Sequence, residues 1–164
     1  MTNINNYMRV LGIDPALACL GFGIIEQRDS KIYYVDSGLI KTKAETDLHL
    51  RLTEITSTLE QVINLYKPKM IAMEETFVNM NAASSLKLAY VRGALMAMIG
   101  KTHIPFYEYA PNKIKKTIVG TGHAQKEQVM HMVKMILSGD SSKITNDESD
   151  ALAVAYTCLV HHTS

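Results

Sequence analysis

Residues 10–40 read VLGIDPALACLGFGIIEQRDSKIYYVDSGLI, and this pattern decides the fold. Val10-Leu11-Gly12-Ile13-Asp14 is an apolar run that ends in an acid, as a buried strand does. Pro15 stops it, because proline has no N–H to give to a central ladder. Residues 20–27 (LGFGIIEQ) and 31–40 (KIYYVDSGLI) are two more strand-like runs, joined by the polar Arg28-Asp29-Ser30. The spacing predicts a three-stranded antiparallel meander.

Downstream the period changes from two to about four. Leu48, Leu52, Ile55, Leu59, Val62, Ile63 and Tyr66 share one helical face, and Pro68 ends that helix. Lys69 to Thr76 (KMIAMEET) reads as a strand with its acids at the C-terminal end. Residues 82–99 (AASSLKLAYVRGALMAMI) are helical and apolar nearly all round, with only Lys87 and Arg92 charged. Such a helix is covered on two sides, and the expected second cover is another subunit. Residues 104–109 (IPFYEY) make another strand, and Pro111 opens a short helix through Thr117. After Gly120-Thr121-Gly122, residues 124–137 are helical, and Ser138-Gly139-Asp140 ends them. Thr145 three residues before Glu148 has capping-box spacing and opens a last helix to about Val160. The order βββ-α-β-α-β-α-α fits a five-stranded mixed α/β sheet, three antiparallel strands then two parallel, with helices on both faces. The expectation is one domain over 1–164, with a flexible N-terminus at 1–8 and a frayed end at 161–164.

Composition narrows the class. Of 164 residues 47% are apolar and the formal charge is +1, so the chain can build a core and is not a disordered one. No apolar stretch approaches the ~18–20 residues of a membrane-spanning helix. The opening MTNINNYMRVLGID has no basic-then-apolar signal region. Cys19 and Cys158 make neither a disulfide framework nor a zinc site by themselves, and read as small buried hydrophobes. A reduced, cytoplasmic protein without a membrane partner is expected. The charge is uneven, however. Residues 101–134 hold Lys101, Lys113, Lys115, Lys116, Lys126 and Lys134 against only Glu108 and Glu127, which favours an anionic ligand there.

Carboxylates fall at element ends in three places: Asp14, the Glu74-Glu75 pair, and Asp147 with Asp150. Period-2 alternation sends Glu74 and Glu75 to opposite faces, so one of them can join a shared site. Asp147 and Asp150 are three apart and share a helix face, whereas Glu148 lies off it and reads as a cap. Gathered carboxylates repel and take up protons unless a cation holds them. Hard oxygen donors without His or Cys suit Mg²⁺ or Mn²⁺. Two such ions roughly 4 Å apart would clamp the attacking and leaving oxygens of a phosphodiester displacement. Taken singly, each acid is also a common turn or helix-start residue.

Several motifs in order resemble the RuvC family of Holliday junction resolvases from about residue 9 to 160. They are Gly12-Ile13-Asp14-Pro15 with Leu20-Gly21-Phe22-Gly23-Ile24-Ile25, Ser37-Gly38-Leu39-Ile40-Lys41-Thr42, Ala72-Met73-Glu74-Glu75-Thr76-Phe77, Arg92-Gly93-Ala94, Lys115-Lys116-Thr117-Ile118-Val119-Gly120, and Asp147-Glu148-Ser149-Asp150-Ala151-Leu152. The resemblance implies an RNase H-like fold, a homodimer, Mg²⁺ dependence (two ions, with Mn²⁺ able to substitute), and paired symmetric nicks across a four-way DNA junction. It also implies cooperation with the RuvA–RuvB branch-migration machinery, in recombination and repair. By resemblance the metal-binding acids are Asp14, Glu74, Asp147 and Asp150. The lysines near the DNA backbone are Lys115 and Lys126, and the aromatic that stacks on bases is Phe77. One departure is Ala16, where the family usually has glycine after Asp-Pro. Alternatives are another RNase H-like nuclease, YqgF-like or a ribonuclease, and a non-catalytic junction-binding module.

Overall fold

Alternation along the first strand sorts the molecule into layers. In β1 (Met8–Asp14), Val10 packs into one apolar cluster while Leu11 and Ile13 pack into another. Gly12 and Asp14 share the Val10 face. The computed structural model describes residues 7–76 and 81–162. β1 pairs antiparallel with β2 (Cys19–Arg28), and β2 with β3 (Lys31–Lys41), which is the expected meander. β4 (Met70–Glu74) lies parallel to β1 on its other side, and β5 (Phe106–Tyr109) lies parallel to β4. The sheet order is β3-β2-β1-β4-β5.

Helices cover both faces. α1 (Leu48–Tyr66) and α2 (Ala82–Gly100) bury Ile55, Leu59, Val91, Leu95 and Ile99 against Leu11, Ile13, Ile71 and Met73. On the opposite face lie α3 (Pro111–Val119), α4 (Lys126–Ile136) and α5 (Asn146–His162), around Val10, Ile25, Met70 and Ala72. α5 lies directly on β1 and β2. Glycines allow that approach: a Cβ on Gly12 would be driven into the Ala151 carbonyl, and one on Gly21 would lie 2.5 Å from the Asp147 carbonyl oxygen.

Several boundaries differ from the sequence expectation: β5 begins at Phe106 rather than Ile104, and α4 spans Lys126–Ile136 rather than 124–137. β1 begins at Met8, paired with Gln27, so the N-terminal residue 8 belongs to the sheet. β4 stops at Glu74 rather than Thr76; among the described residues beyond it, only the Glu75 N–H is tied to β5. α5 continues to His162, so residues 161 and 162 are helical rather than frayed. The reason lies on β5: His162 stacks on Tyr107 with ring centres 3.7 Å apart, and its Nε2 is 2.9 Å from the Tyr109 hydroxyl.

Candidate active site

The site forms where the parallel strands β1 and β4 end, a place at which α/β sheets open a crevice. Ile13 is in register with Met73, so Asp14 and Glu74 come next on neighbouring strands. Glu74 shares the α5 face with Met70 and Ala72, and this selects it over Glu75. The first two turns of α5 supply the other two acids, Asp147 and Asp150. Its start is fixed by the predicted capping box: the Thr145 N–H donates to Glu148 Oε2 at 2.8 Å, and the Thr145 hydroxyl to the same oxygen at 2.6 Å. Glu148 Oε1 accepts from the Ser37 hydroxyl of β3 at 3.0 Å, which ties the helix start to the sheet. Glu148 is therefore a cap and not a member of the cluster. The helix dipole favours carboxylates at this end.

Asp14, Asp147 and Asp150 bring one carboxylate oxygen each to within 4.8 Å of one another, a set that can hold a metal ion. Glu74 joins them by lining the same cleft as Asp14 and Asp150. Burial first, then the charges of Glu74 and Asp150, push the Asp14 carboxyl up to about 8. Burial and Asp150 raise Glu74. Burial also raises Asp150, against the pull of Lys126. Half-buried carboxylates pushed upward by burial and by one another are what a hard divalent cation would satisfy.

Two predicted lysines stand at this cluster. Lys126 Nζ donates to Asp150 Oδ2 at 3.0 Å. It is the first residue of α4, the end at which the dipole disfavours a cation, so Asp150 offsets an unfavourable placement. Lys115 lines the same cleft of about 230 Å³, with Asp14, Glu74, Ile114 and Val129. That volume is below the ~300–1,000 Å³ of usual small-molecule pockets, which suits a site that admits one group of a larger polymer. Phe77 lies outside the described residues.

The sequence reading missed two contacts. Cys19 was expected to be a buried hydrophobe, yet it is only partly buried and its thiol lies 3.9 Å from Asp147 Oδ2. Arg92 donates from Nη1 to the Glu74 carbonyl oxygen at 2.8 Å. A signal for Arg92 was available, since it is one of two charges in an otherwise apolar helix; none pointed to Cys19. Cys158 is buried as expected.

Residues 10–158 match the family described as crossover junction endodeoxyribonuclease RuvC. The chain belongs to the RuvC family. It is 52% identical over 153 residues to the RuvC crossover junction endodeoxyribonuclease of Rickettsia bellii (strain RML369-C), covering 93% of this chain and 98% of that one. The counterpart from Rickettsia felis (strain ATCC VR-1525 / URRWXCal2) is 51% identical over the same shares. Among solved structures, T. thermophilus RuvC in complex with Holliday junction substrate superposes with a TM-score of 0.85 at 30% identity, over 92% of each chain. The RuvC fold thus accounts for the five-stranded mixed sheet and its flanking helices. Among the described residues, no helix is long and apolar enough to cross a membrane.

The raised Asp14 carboxyl gives a test of this cluster. An acid shifted upward on folding stabilises the folded state while it keeps its proton, and that contribution is lost as pH rises from its ordinary 3.8 through about 8. Thermal unfolding in EDTA should therefore show wild-type stability falling across this window. Asp14→Asn should remove much of the fall and melt several degrees higher than wild type at pH 8. A divalent cation should raise the wild-type melting temperature and leave the variant nearly unmoved. Parallel pH profiles for the two proteins would contradict the assignment.

Proposed function

We propose that this chain is a homodimeric, Mg²⁺-dependent endonuclease that resolves Holliday junctions by paired symmetric nicks. The convergence of Asp14, Asp147 and Asp150, with Glu74 beside them and two lysines at the rim, carries the reading. Mg²⁺ or Mn²⁺, two per site, would activate water and neutralise the leaving 3′ oxygen. The residues do the rest. Asp14 and Glu74 present their carboxylates from the sheet, and Asp147 and Asp150 present theirs from α5. α5 excludes water from one side of the cluster, while the open side of the cleft leaves room for a phosphate. Lys126 pairs with Asp150; with Asp150 engaged as a metal ligand, its ammonium would be available to the scissile phosphate. Lys115 faces the same cleft and would hold the backbone. Phe77, by family resemblance, would stack on bases opened at the crossover, a contact worth ~1–3 kcal/mol per base.

The dimer reading draws on α2, whose Leu86, Tyr90 and Met96 remain exposed although the helix is apolar. A four-way junction offers two equivalent strands, and a two-fold enzyme offers two equivalent sites. The RuvA–RuvB machinery is the partner the family implies, and the cytoplasm the compartment.

Substrate competition tests the function. A labelled four-way junction should be cut in Mg²⁺ while excess linear duplex or RNA–DNA hybrid neither competes nor is cut. Preference for the hybrid would assign a ribonuclease instead, and tight junction binding without any cut would assign a binding module. Within the proposal, Lys126→Ala should slow cleavage about a hundredfold, as loss of one charge-stabilising donor does. Junction affinity should change only a few-fold. Equal losses in rate and affinity would make Lys126 a phosphate anchor alone.

A further inference from the structure

Glu74 is the last residue of β4, and its backbone is gripped where the sheet ends. The β1–β4 ladder closes at Ile13 and Met73, one residue earlier. Beyond it, the Glu75 N–H donates to the Tyr109 carbonyl of β5 at 2.9 Å. The Glu74 carbonyl takes its hydrogen bond from Arg92 Nη1 at 2.8 Å. The same guanidinium forms a close ion pair with Glu108, which sits on β5 one residue before Tyr109. Arg92 is only 18% exposed and comes from α2, in the layer opposite the one that carries Asp147 and Asp150. A planar fork can serve a carbonyl and a carboxylate at once, whereas an ammonium cannot do so in fixed geometry.

We propose that Arg92 is a positioning residue of the metal centre: braced by Glu108, it holds the Glu74 carbonyl and so sets where the Glu74 carboxylate stands. This rests on the reading of Glu74 as a metal ligand. Groups that orient ligands in this way typically change metal affinity or activity 10–100-fold when removed. An ion pair that only joins α2 to β5 would leave the metal site unchanged, and this separates the two roles.

Mn²⁺ binding to the DNA-free protein, followed by electron paramagnetic resonance, tests the proposal alongside thermal unfolding in EDTA. Arg92→Ala should bind Mn²⁺ about tenfold more weakly. Its cleavage of a junction should need correspondingly more metal and return to within a few-fold of wild type at saturation. Arg92→Lys should fall between the two. Glu108→Gln keeps an acceptor for the guanidinium and should shift binding less than about threefold. Wild-type Mn²⁺ affinity in Arg92→Ala would overturn the proposal. If Arg92→Ala does not fold, Arg92→Lys decides, and wild-type affinity there overturns it equally. Glu74→Gln separates the two levels: no loss in that variant would overturn the ligand reading itself, whereas a loss there without one in the Arg92 variants would overturn only the role of Arg92.

Discussion

Asp147→Asn should reduce junction cleavage by a factor on the order of 10³ or more and leave junction binding within a few-fold of wild type. The substitution is nearly isosteric. Asn can still accept from the Cys19 thiol, and it sits in a helix turn already fixed by the Thr145–Glu148 box. What is lost is one negative charge among three aspartates whose oxygens converge within 4.8 Å. Without it the cluster binds a divalent cation less tightly, and the charge that develops on the leaving oxygen has less to offset it. Binding should survive because, in the proposed function, Lys115 rather than the acids holds the junction backbone. Gel-shift and single-turnover cleavage on one preparation measure both quantities. A variant that cuts at a near wild-type rate would remove Asp147 from the site.

The second large effect belongs to a residue with no side chain. Gly12→Ala should lower stability by about 3 kcal/mol, the upper end of the range for overpacking a core. The melting temperature should fall by roughly 6–12 °C for a domain of this size. The added Cβ would run into the Ala151 carbonyl and lie 2.5 Å from the Ala155 nitrogen and 2.9 Å from its Cβ. Two of these neighbours are helix backbone and cannot turn aside, so α5 itself must lift from β1. Because α5 carries Asp147 and Asp150, the variant should also bind metal more weakly than its lost stability alone predicts. Differential scanning with and without Mn²⁺ separates the two effects. An unchanged melting temperature would mean that α5 does not lie on β1 as described.

Much of this was legible because hydrophobic period is a local property. The three strand-like runs at 10–14, 20–27 and 31–40 and the period of Leu48 to Tyr66 were enough to place a meander and a covering helix. The acids stood out because each ends or begins an element. The choice between Glu74 and Glu75 was not legible from spacing, since alternation shows that they face apart but not which face α5 occupies. The same limit applies to Gly12 and Gly21, whose partners Ala151, Ala155 and Asp147 lie near the other end of the chain. Arg92 and Glu108 meet only because α2 and β5 flank the end of β4. The last helical turn was read as frayed because its stabilisers, Tyr107 and Tyr109, lie on a distant strand. Local chemistry thus named the donors, and tertiary contact decided which of them meet and what holds them there.

The most direct test of the central claim is to map the nicks that wild-type protein makes in an end-labelled, mobile four-way junction in Mg²⁺, with EDTA as control. The account predicts two nicks at symmetry-related positions on opposed strands, both abolished by EDTA. Unpaired nicks, nicks that persist in EDTA, or equal cutting of the matching linear duplex would contradict it.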